Sequence, residues 1–346
     1  MKTTAAATIG ALNFATVAVY ADLYITQPIL PLLSKDFGIA PATAGLTVSV
    51  VVLMIALVSS AYGSLSDIVG RKPVMVTSCL LLAVPTMLCA VASSFHMLLF
   101  FRAMQGFLMP GVTAVAVAFI GDSFSEADLG PKVGGWIAAS VAGGLTGRVL
   151  SGFLAAGINW RAPFVFFGLF TVIGAAVIAR FLPRREGNPT VRLSDAYRGM
   201  FAHFRNRRLV GAFLIGGAVF FCFIGVFTYL PYYLTSPPFH LSTAVVSSVY
   251  LVYIAGVFTS VISGRLSGRL GRRAVMAAGL AIACLGVLGT LVHSLPVIVL
   301  SLVVLCIGMF TVQSTAPAFV NANAEGAKGG AGALYVTFYY VGASLG

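Results

Sequence analysis

The sequence GSLSDIVGRK, at Gly63–Lys72, occurs a second time in this chain in a closely similar form. The second copy, GRLSGRLGRR, occupies Gly264–Arg273 and begins 201 residues after the first. The chain contains two successive sets of apolar segments. Each copy of the motif lies between the second and third segments of its set, so the two copies agree in position as well as in sequence. Gly106 and Gly308, 202 residues apart, extend the match to the fourth segment of each set. We therefore infer two homologous halves, an organisation common in proteins with many membrane-spanning helices.

The composition is that of a polytopic membrane protein. Of the 346 residues, 59% are hydrophobic and 9% are charged, and the mean hydropathy is +1.00. Soluble domains carry about 25% charged residues, so this chain could not cover its surface in water. The cysteines lie inside apolar runs without CxxC spacing or neighbouring histidines, which favours packing over disulfides or metal binding. The sequence has no His/Glu cluster, nucleophile elbow or phosphate loop, so neither an enzyme nor a metal site is expected.

Apolar segments about as long as a bilayer is thick predict six spans in the first set and five in the second. The first of them is longer than the apolar core of a signal peptide, so we expect it to be retained. The polar stretch 183–208 is predicted to be a cytoplasmic linker between an N-terminal bundle, 1–182, and a C-terminal bundle, 209–346. The predicted spans are 7–33, 43–64, 74–93, 97–121, 133–156, 162–182, 209–234, 243–264, 274–293, 296–319 and 331–346.

The distribution of basic residues predicts the orientation of these spans. The net charge of +12 could indicate nucleic-acid binding, so the location of the bases decides the interpretation. With the N-terminus in the cytoplasm, 17 of the 21 Lys and Arg residues fall in cytoplasmic segments, two in outer loops and two within spans. Bases near span ends are retained inside the cell. We therefore predict a multi-pass protein of the cytoplasmic (inner) membrane, with the lipid bilayer and not nucleic acid as its partner.

Several motifs, each on the appropriate span, resemble signatures of the major facilitator superfamily. Gly63–Lys72 resembles that family's motif between helices two and three, and Arg102–Gly106 resembles its fourth-helix motif. In the fifth span, Gly143–Gly152 is similar to the family's antiporter motif, with Arg148 where a proline is usual. The sugar-efflux-like members of the twelve-helix efflux branch are the most similar, as indicated also by Asn159–Arg161 and Tyr24–Pro31.

The resemblance implies an all-α membrane protein of the major facilitator fold, with two pseudo-symmetric six-helix bundles. The repeat offset places the end of a twelfth span about 37 residues beyond Gly346, so we expect a truncated product in which the last helix and a half are missing. The implied function is proton-coupled secondary transport that exports a small molecule by alternating access, without a cofactor and as a monomer. A sugar or metabolite uniporter or symporter, and an inactive truncated remnant, are the alternatives.

The repeated motif is predicted to form a cytoplasmic gate. A solvated turn that only enforces orientation explains its bases, but it does not explain Asp67 or the glycines, which serve tight turns and close approaches. The resemblance implies that Asp67 caps the eleventh helix near Gly329–Ala333, and that Arg71 pairs with Asp122. These contacts would close the cytoplasmic side when the transporter faces outward. The predicted gating residues are Gly63, Asp67, Gly70, Arg71 and Asp122.

Three ionisable residues lie deep within predicted spans: Asp22, Arg102 and Arg148. At 1.5 Å per residue they lie roughly 16, 9 and 12 Å below the outer face, so they can form one cluster if their helices adjoin. An arginine favours the charged form of Asp22 and desolvation opposes it, which predicts a carboxyl group that titrates as the cavity opens and closes. We therefore assign proton coupling to these three residues. A bracing ion pair, or an excess base that binds an anionic substrate, are the alternatives.

Polar and aromatic residues within the spans are the candidates for a substrate cavity. Aromatic surfaces with a few amides suit amphipathic drugs or sugars. Tyrosines also gather at membrane interfaces, which is the better interpretation of Tyr232 and Tyr233. The predicted cavity residues are Tyr20, Tyr24, Gln27, Gln105, Tyr229, Gln313, Tyr335 and Tyr339.

Overall fold

The computed structural model describes residues 4–124, 126–183, 203–324 and 328–346, and all regular secondary structure in these ranges is helical. Ten helical segments of the described chain are long and apolar enough to span a bilayer. The eleventh predicted span forms the helix Lys328–Leu345 but is not among those ten; it is rich in glycine and tyrosine. The prediction of an all-α membrane protein is confirmed.

The first compact unit contains six spans. It comprises the described residues up to 183, with 234–236 and 240–248. Two of its spans are interrupted: α1 and α2 together form the first, and α5 and α6 form the fourth, with Pro110 at the start of α6. Its helices are α1 (Ala5–Leu23), α2 (Leu30–Phe37), α3 (Pro41–Val69), α4 (Arg71–Cys89), α5 (Phe95–Leu108), α6 (Pro110–Ser123), α7 (Glu126–Gly157) and α8 (Ala162–Phe181).

The second compact unit contains the remaining described residues. A 3-10 turn at Tyr250–Val252 joins the helices α10 and α11 into one longer segment. The predicted linker, 183–208, lies largely outside the described residues, so the division into two bundles and a linker stays a prediction. The helices after it are α9 (Arg207–Thr235), α10 (Thr243–Val249), α11 (Tyr253–Leu270), α12 (Arg272–Gly289), α13 (Leu295–Asn323) and α14 (Lys328–Leu345).

The two copies of the repeated motif fold in the same way. Gly70 separates α3 from α4 with φ 102° and ψ 147°, and Gly271 separates α11 from α12 with φ 84° and ψ 142°. A residue with a side chain is strained at such positive φ values, so glycine is required at both one-residue joints. The rest of the first copy is not a turn, because α3 continues through Val69. Gly63 lies inside that helix, and a methyl group built on it would meet no described atom of another helix within 4 Å, so the need for a tight turn explains Gly70 alone.

The first span is broken next to its acidic residue. Helix α1 ends at Leu23, and a turn leads into a 3-10 helix at Gln27–Ile29. Pro28 has no N–H to donate and its ring crowds the carbonyl four residues earlier, so a regular helix cannot continue through it. The break frees backbone carbonyls at membrane depth, where each needs a hydrogen-bond donor from the protein.

Close packing of α1 against α7 depends on glycine. A methyl group built on Gly147 would lie 2.7 Å from Cα of Ala21, which is the backbone of α1 just before the break. The motif Gly143–Gly152 therefore brings another helix close, as small residues commonly do in membrane helices.

We expect Gly147→Ala to lower the free energy of unfolding by about 1–3 kcal/mol, because the added methyl group forces α1 and α7 apart. The measurement is the thermal unfolding midpoint of the purified full chain in detergent. Gly134→Ala in the same helix is the matched control: no described atom lies within 4 Å of its added carbon, so no loss is expected. Equal midpoints for the two variants would contradict the close packing at Gly147.

Candidate functional site

Arg102 satisfies the carbonyls at the break in the first span. Its side chain is fully buried. Nη1 donates to the carbonyl of Asp22 (3.1 Å) and Nη2 to that of Leu23 (2.7 Å), while Nε donates to the carbonyl of Thr47 in α3 (2.9 Å). Nη1 also donates to Oε1 of Gln105, one helical turn further along α5 (2.7 Å). One guanidinium group therefore connects α1, α3 and α5.

The carboxylate of Asp22 lies in a buried polar network. Thr86 Oγ1 lies 2.7 Å from its Oδ2, and Gln105 Nε2 lies 3.3 and 3.4 Å from its two oxygens. Gln105 Nε2 also donates to Thr86 Oγ1 at 2.8 Å. None of these side chains is exposed. The carboxylate is thus surrounded by neutral hydrogen-bonding groups, with the charge of Arg102 on the far side of Gln105.

The structure brings Asp22 and Arg102 together without a salt bridge between their side chains. Arg102 bonds to the main-chain carbonyl of Asp22 instead. The sequence places the two residues at similar depth, but it does not show the helix break, which offers carbonyl oxygens to the guanidinium. In this structure, the side chains of Asp22 and Arg102 therefore do not form the bracing ion pair that was the alternative to proton coupling.

Arg148 lies in a second buried group with Tyr24 and Gln27. Its Nε donates to Oε1 of Gln27 (2.6 Å), and Nη1 donates to the carbonyl of Gly144 in the same helix (2.9 Å). Its guanidinium carbon lies 3.6 Å from the centre of the Tyr24 ring, a cation–π arrangement. Tyr20, one turn before Tyr24 in the chain, is half-buried and lies edge-on to Trp136. Of the predicted cavity residues of the first unit, Gln105 thus lies in the Asp22 group, whereas Tyr24 and Gln27 lie in the Arg148 group. Tyr20 lies against Trp136.

The predicted cavity residues of the second unit are less concentrated. Tyr335 and Tyr339 stack with ring centres 6.1 Å apart in α14, and Tyr339 stacks on Phe220 at 3.7 Å. The hydroxyl of Tyr335 is buried and has no hydrogen-bond partner among the described residues. Tyr229 is 43% exposed, which separates it from that aromatic cluster, and Gln313 is half-buried in α13.

The predicted gating residues meet at the joint between α3 and α4. Arg71 forms salt bridges with Asp67, one turn earlier, and with Asp122 at the end of α6, where Nε and Oδ2 are 2.9 Å apart. Nη1 of Arg71 also donates to the carbonyl of Gly63 at 3.3 Å. The pairing of Arg71 with Asp122 is the one that the resemblance implies. A contact between Asp67 and the eleventh helix stays a prediction.

The sequence does not point to two residues of this site. Thr86 contacts Asp22, and Ser151 donates to the carbonyl of Ile25, which the break also leaves free (2.6 Å). Single hydroxyl residues are common in membrane helices, where most bond to the carbonyl one turn back. Thr16 is one such residue, bonding to the carbonyl of Leu12. Nothing in the sequence around Thr86 distinguishes it from Thr16, except the proline that precedes it.

A family model for the Major Facilitator Superfamily matches residues 12–346. The chain is 34% identical over 337 residues to the inner membrane transport protein YnfM of Escherichia coli (strain K12), covering 97% of this chain and 81% of that protein. It is 32% identical over 328 residues to the MFS-type transporter YybF of Bacillus subtilis (strain 168), covering 94% of this chain and 81% of that protein.

The fold matches solved structures of the same superfamily. A bacterial homologue of the human lysosomal transporter Spinster, in an inward-facing and unoccupied conformation, superposes with a TM-score of 0.81. That match covers 97% of this chain and 79% of the homologue at 18% identity, which supports the fold alone. With the family model, the relatives and the repeated motif in agreement, the chain belongs to the Major Facilitator Superfamily of membrane transporters.

Proposed function

We propose that this transporter exports a small molecule in exchange for protons by alternating access. The observation that carries the proposal is the buried carboxyl group of Asp22, the one acidic side chain away from the ends of the spans in the described residues. A charged group at that depth costs several kcal/mol, and such residues mark ion or substrate pathways. Uptake of a proton removes that charge, so the protonation of Asp22 can favour one conformation over the other.

Proton coupling in the first unit is supported by the asymmetry of the two halves. The spans predicted for the second half contain no Asp, Glu, Lys or Arg, and Val304 takes the repeat position of Arg102. Asp22, Arg102 and Arg148 are therefore our candidates for proton coupling. Their charges sum to +1 with Asp22 ionised and to +2 with Asp22 protonated. Arg148, in the group with Tyr24 and Gln27, is also our candidate to bind an anionic part of a substrate.

Export is supported by the resemblance of Gly143–Gly152 to the antiporter motif. The close packing of α7 on α1 at Gly147 lies next to the broken part of the first span. We propose amphipathic drugs or sugars as the substrate class, recognised by tyrosine rings and amide groups such as those of Tyr24 and Gln27. Uniport or symport of a sugar or metabolite is the second candidate, because aromatic and amide groups suit it equally well.

The experiment uses inverted membrane vesicles that contain the full chain, energised by respiration and loaded with a fluorescent probe of internal acidity. Export with proton exchange predicts that an added substrate releases protons from the vesicles. We would test lipophilic cations such as ethidium and a set of neutral sugars against vesicles that lack the protein. A symporter would instead move protons and substrate in the same direction. A uniporter would move labelled substrate without protons, and absence of any flux would favour an inactive chain.

The proposed setting is the cytoplasmic membrane, with the N-terminus inside. The bias of lysine and arginine toward one set of loops supports this orientation. Action as a monomer, driven by the proton gradient without a cofactor, stays part of the proposal. Accessibility of single cysteines, introduced into the segment 183–208 and labelled from either side, tests the orientation; labelling from outside the cell would overturn it.

We propose that Arg71, Asp67 and Asp122 form a gate. This gate would control access to the transport pathway from the cytoplasmic side, where we place the joint at Gly70. Asp67→Asn removes one of the two carboxylates bonded to Arg71 and leaves the shape of the site unchanged. We expect a several-fold slower transport rate with unchanged abundance in the membrane, because Asp67 is partly exposed at the membrane end of α3 and such ion pairs contribute only about 0–1 kcal/mol to stability. Asp36→Asn, at the surface pair with Arg161, is the control. Equal rates for wild type and Asp67→Asn would argue against the gate.

A further inference from the structure

Thr86 has one hydroxyl proton and more partners than that proton can serve. Its Oγ1 lies 2.7 Å from Oδ2 of Asp22 and 2.8 Å from the carbonyl of Leu82, one turn back in α4. Gln105 Nε2 lies 2.8 Å away on another side. A hydroxyl group donates a single hydrogen bond and accepts up to two. The hydroxyl can therefore donate to Asp22 or to Leu82, but not to both at once.

Arg102 fixes the direction of hydrogen bonding in this network. A guanidinium group only donates, so the amide oxygen of Gln105 must face Arg102 and its NH₂ group must face Thr86 and Asp22. Thr86 thus accepts from Gln105 in either state of Asp22. Only the acceptor of the Thr86 hydroxyl proton is left undetermined by these bonds.

The protonation state of Asp22 decides that direction. A charged carboxylate accepts hydrogen bonds only, so Thr86 donates to it in a charge-assisted bond. When Oδ2 takes up a proton, Asp22 becomes the donor and Thr86 Oγ1 the acceptor. The Thr86 proton then turns to the carbonyl of Leu82. One proton is added to Asp22, and no other covalent bond is formed or broken.

This exchange takes place at a weakened turn of α4. Pro85 lies inside the helix directly before Thr86, and it cannot donate to the carbonyl four residues earlier. A threonine that bonds to the carbonyl of residue i−4 tends to bend its helix. Formation or loss of the bond from Thr86 to Leu82 therefore acts on the part of α4 that is least restrained by its own hydrogen bonds.

The other ionisable groups on the helices around Asp22 are accounted for. Arg102 donates to carbonyls and Gln105, and Arg148 lies against Tyr24 and Gln27. The thiol of Cys79 contacts the carbonyl of Thr171. The remaining described groups are a buried thiol in α4, a tyrosine in α3, and titratable or charged groups near the ends of these helices, namely Cys89, Tyr62, Asp67, Arg71, Lys72, His96, Asp122, Lys132 and Arg180.

We propose that Thr86 is a positioning residue that transmits the protonation state of Asp22 to α4, by donating to Asp22 when it is charged and to Leu82 when it is protonated. The inference rests on the proposed proton coupling. It assigns a role in that coupling to a residue that cannot itself carry the proton.

The test is infrared difference spectroscopy between low and high pH on the purified full chain in lipid, which needs no substrate. Wild type should give a protonated-carboxyl C=O band that Asp22→Asn removes. Thr86→Val keeps the shape but removes the hydroxyl, so the band should shift to higher wavenumber; Thr86→Ala should do the same if the valine variant does not fold. Thr86→Ser, which keeps the hydroxyl, should restore the wild-type band.

Thr16→Val is the matched control, since the Thr16 hydroxyl is buried in α1 and, among the described residues, bonds to the carbonyl of Leu12 alone. Its band should match that of wild type. An unshifted band in both Thr86→Val and Thr86→Ala would overturn the role of Thr86 and leave proton coupling at Asp22 intact. If Asp22→Asn removes no band, Asp22 does not titrate, and both the coupling and the role of Thr86 are wrong.

Discussion

Vesicles containing Asp22→Asn are expected to show no substrate-driven proton movement above the level of vesicles that lack the protein. Asparagine has nearly the shape of a protonated aspartate and can still bond to Thr86 and Gln105, so folding and abundance should be unchanged. Because it cannot release a proton, the variant is held in the neutral state and cannot couple two flows. Exchange of labelled for unlabelled substrate, which needs no net proton transfer, should persist.

Two further variants sharpen this result. Asp22→Glu keeps a titratable group but adds a methylene to a fully buried site, so we expect slower transport in which protons and substrate remain coupled. Asp36→Asn changes a carboxylate that is 45% exposed and hydrogen-bonded to Trp160, and it should behave as wild type. Proton-coupled export by Asp22→Asn at the wild-type rate would show that another group carries the proton.

Replacement of Arg102 by methionine is expected to cause the largest loss of stability, at least about 3 kcal/mol. Methionine has a similar length but no donors, so the carbonyls of Asp22, Leu23 and Thr47 would lose their bonds to the side chain. The Thr47 carbonyl lies within α3 and keeps its helical donor, whereas the Leu23 carbonyl and Oε1 of Gln105 lose the donor that Arg102 provides. An unsatisfied buried acceptor costs about 1–3 kcal/mol, and no water is present in the bilayer core to replace the donor. The expected observation is a large fall in the thermal unfolding midpoint and in the yield of monodisperse protein.

Arg102→Lys and Arg161→Met are the comparisons for that result. Lysine keeps the charge but not the planar fork that reaches several acceptors, so an intermediate loss is expected. Arg161 is 40% exposed and forms a surface salt bridge with Asp36, so Arg161→Met should change stability by only about 0–1 kcal/mol. If Arg102→Met unfolds at the wild-type midpoint, the carbonyl bonds of Arg102 do not stabilise the fold.

The repeated motif makes much of the fold predictable from the sequence. Its two copies identify the homologous halves, and Gly70 and Gly271 have the backbone conformation that only glycine adopts easily. The sequence does not show that Gly63–Val69 is helical, because a cluster of small and polar residues is also typical of a turn. The end of α3 is set by a single backbone conformation at Gly70, and composition around it carries little information about that position.

The charged members of the candidate site are predictable from the sequence, but Thr86, Ser151 and the hydrogen bonds of the site are not. Depth along the spans brings Asp22 and Arg102 to one level, because helical rise is regular. Their actual partners depend on the break after Leu23, which rotates carbonyls toward α5, and on the rotation of α4 about its axis, which points Thr86 at Asp22. Apolar patterning specifies neither of these in a span that is hydrophobic on nearly every side.

The triple attachment made by Arg102 also bears on how the motion of this transporter can be followed. Since one buried side chain joins α1, α3 and α5, positions flanking it on these helices should keep fixed separations throughout the transport cycle. Distances between spectroscopic labels on the outer ends of these three helices would therefore serve as an internal reference. Displacements measured elsewhere in the chain could be compared with those distances, without assuming that any helix is stationary in the membrane.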